Sequence, residues 1–225
     1  CEKLSGDGHI VVGLDNFDDL YDPKTKENNL RNAVGNSRFR LVRGDVLGGE
    51  PLETLFSGKG FDVVVHLAAK AGVRPSISDP VGYIRNNVEG TLNLLELTRK
   101  CGIGKFIFAS SSSVYGDSGT VPFREEDNVD HPVSPYAASK RAGELVCYNY
   151  HQMYDIDMFA LRFFSVYGPR QRPDMAIHKF TKLILEGKPV PVFGDGKLTR
   201  DFTFIDDIIQ GVMNSIDRVR GYEVI

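Results

Sequence analysis

Residues 105–116 run Lys105-Phe106-Ile107-Phe108-Ala109-Ser110-Ser111-Ser112-Ser113-Val114-Tyr115-Gly116. Four apolar residues in unbroken succession suit a strand buried on both faces, the habit of a parallel sheet. The run ends in hydroxyl-bearing residues, and in open α/β sheets chemistry gathers at the carboxyl ends of strands. Further along stands Tyr136-Ala137-Ala138-Ser139-Lys140, preceded by Ser134-Pro135, a pair suited to opening a helix. Residues four apart share one helix face, so Tyr136 and Lys140 face the same way. A free phenol, with a pKa of about 10, is a poor base at neutral pH, and a neighbouring cation favours its ionised form. The alternative for the pair alone is an exposed helix with no chemistry.

Outward from this stretch the chain alternates. His9 to Asp15 is an apolar run ending in an acid, Phe39 to Asp45 is a second strand, and Phe61 to Ala69 a third. Asp157 to Phe163 is the last strand of this portion. Between them lie a polar helix and loop over residues 22–36, and a long helix opened by Asp79-Pro80 and running through Cys101. Its apolar anchors are Tyr83, Val88, Leu92, Leu95 and Leu97, and it carries Asn87, a mediocre helix former whose amide suits lateral use. The stretch 71–75 is expected as a loop. Beyond it all, residues 175–185 form a helix, residues 189–193 a short edge-type strand, and residues 194–196 a turn. Asp206-Asp207 opens a last helix and Tyr222 to Ile225 begins a strand. This order implies an α/β fold, a doubly wound parallel sheet.

Composition excludes more than it assigns. A net charge of −3 over 225 residues carries no signature of nucleic-acid or polyanion binding. Three cysteines without metal-like spacing suggest free thiols in a reducing compartment, and no metal is expected. No apolar run is long enough for a membrane span and no signal peptide is recognisable, so the expected compartment is the cytoplasm. His66 has no partner in nearby sequence and is expected to be a satisfied core histidine.

Several stretches, in this order, resemble one family. They are Asp15-Asn16-Phe17, Gly44-Asp45-Val46, His66-Leu67-Ala68-Ala69, Asn87-Val88-Glu89-Gly90-Thr91, residues 110–116, Tyr136-x-x-x-Lys140, residues 161–169 and Arg200-Asp201-Phe202. Together they resemble the extended short-chain dehydrogenases/reductases, and within them the nucleotide-sugar epimerases and dehydratases. Arg170-Gln171-Arg172-Pro173-Asp174-Met175-Ala176 adds a resemblance to UDP-glucuronate 4-epimerases. The resemblance implies a Rossmann-like domain over residues 1–165 and part of a smaller α/β sugar-nucleotide domain over residues 166–225. It also implies a cofactor, NAD. In that family a glycine-rich loop and a first strand precede the position of Cys1, and a further portion follows Ile225. The chain has no such loop, so it is expected to be an internal fragment that by itself binds NAD poorly, folds marginally or is inactive.

The roles carried over are these. Ser111, Tyr136 and Lys140 are catalytic. NAD meets Asp15, Asn16, Asp45, Val46, Leu67, Ala68, Ala69, Asn87, Ser110, Tyr136, Lys140 and Phe163. Asp15 accepts from the adenosine ribose and repels a 2′-phosphate, which favours NAD over NADP; alternatively it is a strand-end turn residue. Asp45 borders the adenine or caps the following helix, two compatible uses. The UDP-sugar meets Arg74, Ser112, Ser113, Ser165, Arg172, Val190, Phe193 and Arg200. Arg74, Arg172 and Arg200 have solvated or locally paired surface charge as their alternative.

The implied reaction is C4 epimerisation of UDP-glucuronate to UDP-galacturonate through a 4-keto sugar. Such a sugar is a β-keto acid, so its carboxylate must be held out of alignment with the carbonyl by Arg172, Ser112, Ser113 and Ser165. Dehydratases and decarboxylases of the family place carboxylates where Ser112 and Ser113 stand, which counts against both reactions. UDP-glucose/galactose 4-epimerisation is the second expectation. A non-catalytic NAD-binding protein is a third, and it has no need of Ser111, Tyr136 and Lys140 together. Family members commonly form homodimers through the helices bearing Asn87 and Tyr136.

Overall fold

A computed structural model describes every residue except 58, 59, 193 and 198. In chain order the elements are α1 (Glu2–Gly6), β1 (Val11–Asp15), α2 (Pro23–Val34), β2 (Phe39–Arg43), α3 (Glu50–Phe56), β3 (Val64–His66), α4 (Val73–Ser78) and α5 (Pro80–Ile84). A π-helical turn (Arg85–Glu89) leads into α6 (Gly90–Lys100), then β4 (Lys105–Ser111), a 3₁₀ turn (Ser112–Tyr115), α7 (Pro135–Tyr154) and β5 (Asp157–Phe163). The chain continues through β6 (Ser165–Tyr167), α8 (Ala176–Leu185), β7 (Phe202–Phe204), α9 (Ile205–Arg218) and β8 (Tyr222–Val224). Two compact units divide it: Cys1–Val11, Phe17–Arg40 and Phe164–Gly211 in the smaller, Val12–Asn16, Leu41–Phe163 and Val212–Ile225 in the larger.

In the larger unit β3, β4, β5 and β8 make a parallel sheet in that order. Ser110 lies opposite Arg162 and Ser111 opposite Phe163, which places the carboxyl ends of β4 and β5 side by side. Phe106, Phe108, Met158 and Ala160 reach the core from the two central strands and meet Leu94, Leu95 and Cys147 from the helices. Each is almost fully removed from water, worth roughly 1.5–3 kcal/mol for a large apolar side chain. Gly143 brings α7 against the sheet, because a Cβ there would run into the Phe108 ring. β1 and β2 pair in a two-stranded sheet of their own.

Helix starts follow their local chemistry. Ser134 Oγ accepts from Ala137 N at 3.1 Å, with Pro135 at the first helical position. Asp22 caps α2 in the same way through Lys24 N. Asp79 caps α5 through Gly82 N.

Five details depart from the sequence expectations. The third strand is confined to Val64–His66. Residues 73–78 are helical where a loop is expected, with Gly72 supplying the entry at φ 120°. The helix from Asp79 to Cys101 is interrupted by the π turn that carries Asn87. Asp45 caps no helix: Gly49 stands at that position, and Asp45 Oδ1 instead accepts from Leu47 N at 2.9 Å. Residues 189–192 form no strand, consistent with Pro189 and Pro191 having no N–H to give a ladder. The smaller unit gains a parallel pair, β6 with β7, that the sequence did not suggest.

Candidate active site

At the end of β4 the backbone leaves the sheet through the 3₁₀ turn. Ser111 is its cap: its Oγ accepts from Ser113 N at 3.2 Å and shares a hydrogen bond with Ser113 Oγ at 2.7 Å. Ser111 is buried, Ser112 and Ser113 half-buried. Gly116 follows at φ 61°, tight against the His131 carbonyl, a position a side chain could not enter.

One helix answers this strand end. On α7, Lys140 is 4% exposed and its Nζ donates to Ala109 O at 2.7 Å, two residues before Ser111. Burial lowers the ammonium to about 8, so it remains cationic at neutral pH. Tyr136, one turn earlier on the same face, is half-buried and its ring meets Tyr83 edge-on at 6.2 Å between centroids. Tyr83 OH donates to Ala71 O at 3.1 Å. Asn87 is 2% exposed and its amide works sideways from the π turn: Nδ2 donates to Lys70 O and to Ser139 Oγ, both at 2.9 Å, and Oδ1 accepts from Lys70 N at 2.8 Å. It therefore ties the segment after β3 to the helix of Tyr136 and Lys140.

Behind them lies His66, 3% exposed. Thr91 Oγ1 donates to Asn87 O at 2.6 Å, so toward His66 Nε2, 3.0 Å away, it offers a lone pair. The ring thus carries its proton on Nε2, and Nδ1 has no protein partner among the described residues. Burial, aided by the charge of Lys140, pushes the imidazole down to about 3. It is a neutral core histidine as expected, but only its Nε2 is satisfied among the described residues.

The other predicted residues of the larger unit follow the strand ends. Asp15 closes β1 with an exposed side chain, and Asn16 Nδ2 donates to Asp45 Oδ2 at 2.8 Å. Val46 is buried against Gly90, while Leu67 and Ala68 are exposed just beyond β3 and Ala69 is half-buried. Phe163 closes β5. Ser110 is buried and donates to Glu144 Oε1 at 2.6 Å, so its hydroxyl is already engaged. Arg74 is exposed on α4. In the smaller unit Ser165 opens β6, and its N–H donates to Asp201 O at 3.1 Å. Arg172 makes a fork to Asp174, Nε–Oδ1 3.0 Å and Nη2–Oδ2 2.7 Å. Val190 is half-buried, and Arg200 is exposed with Nη1 on Thr199 O. Phe193 lies outside the described residues.

The NAD dependent epimerase/dehydratase family description matches residues 1–224. The chain belongs to this family. It is 44% identical over 224 residues to a UDP-glucuronate 4-epimerase of Thermodesulfobacterium geofontis, covering 100% of this chain and 69% of that one. It is 45% identical over 219 residues to UDP-glucuronate 4-epimerase 4 of Arabidopsis thaliana, covering 96% of this chain and 49% of the relative. A crystal structure of the Bacillus cereus UDP-glucuronic acid 4-epimerase with UDP-glucuronic acid and NAD superposes with a TM-score of 0.90 at 42% identity, over 99% of this chain and 70% of that one. The chain thus spans about half to seven tenths of these relatives. Its parallel sheet is that of the Rossmann-like members.

As a member of this family the chain is a candidate to hold NAD, and the chemistry of its strand ends fits a dinucleotide. The exposed Asp15 carboxylate suits a ribose diol, and the Asn16–Asp45 pair is a polar edge beside it. Leu67, 55% exposed, with Ala68 and Ala69 offers a small-residue floor that a flat ring system would cover. Sequence reasoning missed two charged residues at the strand end, Glu144 and Arg162, both buried and hydrogen-bonded to each other. The signals were present: a charge inside the apolar strand 157–163, and an acid one helical turn beyond Lys140.

Proposed function

We propose that the full-length protein interconverts the C4 epimers of a UDP-sugar, with UDP-glucuronate to UDP-galacturonate as the reaction. The observation that carries this reading is the joint presence of Ser111 at the end of β4 with Tyr136 and Lys140 on α7, the lysine held two residues before Ser111 through Ala109 O. NAD would be held by Asp15, Asn16, Asp45, Val46, residues 67–69, Asn87, Phe163 and the Tyr136–Lys140 face, and would supply a reversible hydride acceptor; the Ser110 hydroxyl, expected to meet it, is instead given to Glu144. The chain supplies the rest. Tyr136 takes the proton of the C4 hydroxyl and returns one to the same oxygen after the 4-keto sugar has turned its other face to the hydride donor. Ser111 orients that oxygen. Lys140, cationic at neutral pH, favours the phenolate. Ser112 and Ser113 leave no carboxylate beside Ser111 to drive elimination of water. A sugar carboxylate is assigned to the donors Ser112, Ser113, Ser165 and Arg172. Arg74 and Arg200 are assigned to phosphate or carboxylate oxygens, and Val190 and Phe193 to the uracil.

The dinucleotide portion is assigned to residues 1–165 and the sugar-nucleotide portion to residues 166–225. A cytoplasmic homodimer belongs to the same proposal. Val81 and Ile84 on α5 and Leu145 and Tyr148 on α7 are all more than 40% exposed, on helices that pack together in one unit. Exposed apolar side chains on these two helices are what a second copy would cover.

The test is incubation of the full-length protein with UDP-glucuronate and NAD, followed by chromatography of the products. UDP-galacturonate without carbon dioxide is the expected result. A UDP-pentose would make the protein a decarboxylase. One observation favours a neutral hexose instead: the Arg172 guanidinium is already matched by the Asp174 carboxylate. Turnover of UDP-glucose with none of UDP-glucuronate would establish that second reading.

A further inference from the structure

Glu144 is wholly buried on α7, one turn beyond Lys140, and every oxygen of its carboxylate is used. Oε1 accepts from Ser110 Oγ at 2.6 Å and from Arg162 Nε at 2.9 Å. Oε2 accepts from Arg162 Nη2 at 3.0 Å and from Arg141 Nη1 at 3.2 Å. Arg162 faces Ser110 across the β4–β5 ladder. Its third nitrogen donates to Glu125 O at 3.1 Å, and its guanidinium lies 4.9 Å from the centre of the Tyr115 ring. Tyr115 in turn stacks on Phe123 at 4.6 Å. Four segments therefore converge on the Glu144–Arg162 pair: the end of β4, the helix α7, β5, and the residues that join the 3₁₀ turn to α7.

A buried ion pair of this kind contributes little net stability, because desolvation of both charges offsets their attraction, and apolar pairs of equal volume often serve as well. What the pair does contribute is direction. A planar guanidinium meeting a carboxylate edge-on accepts one arrangement and rejects a helix shifted along its axis or turned about it. The placement gives that direction a use. Lys140 holds α7 to Ala109 O, and Glu144, one turn later, holds it to Ser110 Oγ. Successive turns of the helix are thus fastened to successive residues of the strand, and the next strand residue is Ser111. We propose that Glu144 and Arg162 are positioning residues of the epimerase reaction, which act through Ser110 to set the spacing between Ser111 and the Tyr136 face of α7. The inference rests on the reading of Ser111, Tyr136 and Lys140 given above. Neither Glu144 nor Arg162 is assigned to substrate or cofactor.

The experiment compares Ser110→Ala, Glu144→Gln and Tyr136→Phe in the full-length enzyme. The readouts are kcat and KM for the UDP-sugar, NAD affinity, and the thermal midpoint. Ser110→Ala leaves the Glu144–Arg162 fork intact and cuts only its link to the strand. If positioning is its role, kcat falls by about tenfold or more, as a small misplacement of reacting groups does, while KM, NAD affinity and the midpoint stay near wild type. Glu144→Gln keeps the side-chain shape but leaves the buried Arg162 charge unmatched, so its midpoint falls, and kcat per folded molecule should fall further than in Ser110→Ala. A folded Ser110→Ala enzyme with wild-type kcat overturns the proposal. So does a fall in midpoint and NAD affinity with kcat per folded molecule unchanged, the pattern of a structural tie. If Glu144→Gln does not fold, Ser110→Ala decides alone. Tyr136→Phe separates the two levels: its expected inactivity keeps the catalytic reading whatever Ser110→Ala does. An active Tyr136→Phe enzyme removes that reading and this inference with it.

Discussion

His66 and Lys140 both lie against the Phe108 ring, and both are bases that burial makes reluctant to hold a proton. For His66 the folded pKa of about 3 lies below the 6.5 of the unfolded chain. Between those values the unfolded state holds more protons, so stability falls as pH falls, by about 1.4 kcal/mol per unit. Urea titrations from about pH 4 to 7 should show this slope, and His66→Leu should flatten it. Lys140 has the same sign in a different window. Its folded pKa of about 8 lies below the ordinary 10.5, so its contribution rises with pH from about 8 to 10.5. Lys140→Met should abolish that rise and stabilise the protein at neutral pH by up to about 3 kcal/mol, less the lost bond to Ala109 O, while ending turnover. Comparing denaturant midpoints of the two proteins at about pH 7 and 10 checks it. The histidine was legible as a core residue because its neighbours in sequence offered no partner. Its partner, Thr91, stands 25 residues away. Only the fold reveals which nitrogen carries the proton.

At the scale of elements the decisive contact is α7 on β4. The apolar run before Ser110 and the Ser134-Pro135 start made both elements readable, and so the shared face of Tyr136 and Lys140. The distance between helix and strand was not readable, since it rests on the missing side chain of Gly143 over Phe108. Gly143→Ala should therefore destabilise by about 1–3 kcal/mol through overpacking, despite alanine being the better helix former. A lower urea midpoint with unchanged slope is the expected result, and an unchanged or higher midpoint would contradict it. The π turn at Asn87 was equally hidden, because the apolar spacing around it suits one unbroken helix. The odd mid-helix asparagine was its one outward sign. The edge-type strand expected at residues 189–193 is absent over the described residues 189–192, where Pro189 and Pro191 have no N–H for a ladder.

For the whole molecule, the succession of strands and helices carried the parallel sheet, and ordered motifs carried the family. Composition carried almost nothing beyond excluding a polyanion partner. The apolar residues left exposed on α5 and α7 make the oligomer a matter for measurement. Sedimentation of the full-length protein should give the mass of a dimer, and a Val81→Glu, Leu145→Glu double variant should sediment as a monomer with its circular dichroism unchanged. A wild-type monomer at micromolar concentration would contradict the homodimer. The three thiols are unequal in a useful way. Cys1 and Cys101 are exposed, whereas Cys147 is wholly buried on α7, one turn beyond Glu144, with its thiol pushed well up by burial. An alkylating reagent reaches it only when α7 lifts from the sheet. Its labelling rate, read by mass after the outer two have been blocked, is thus a clock on how often the helix that carries Tyr136 lets go.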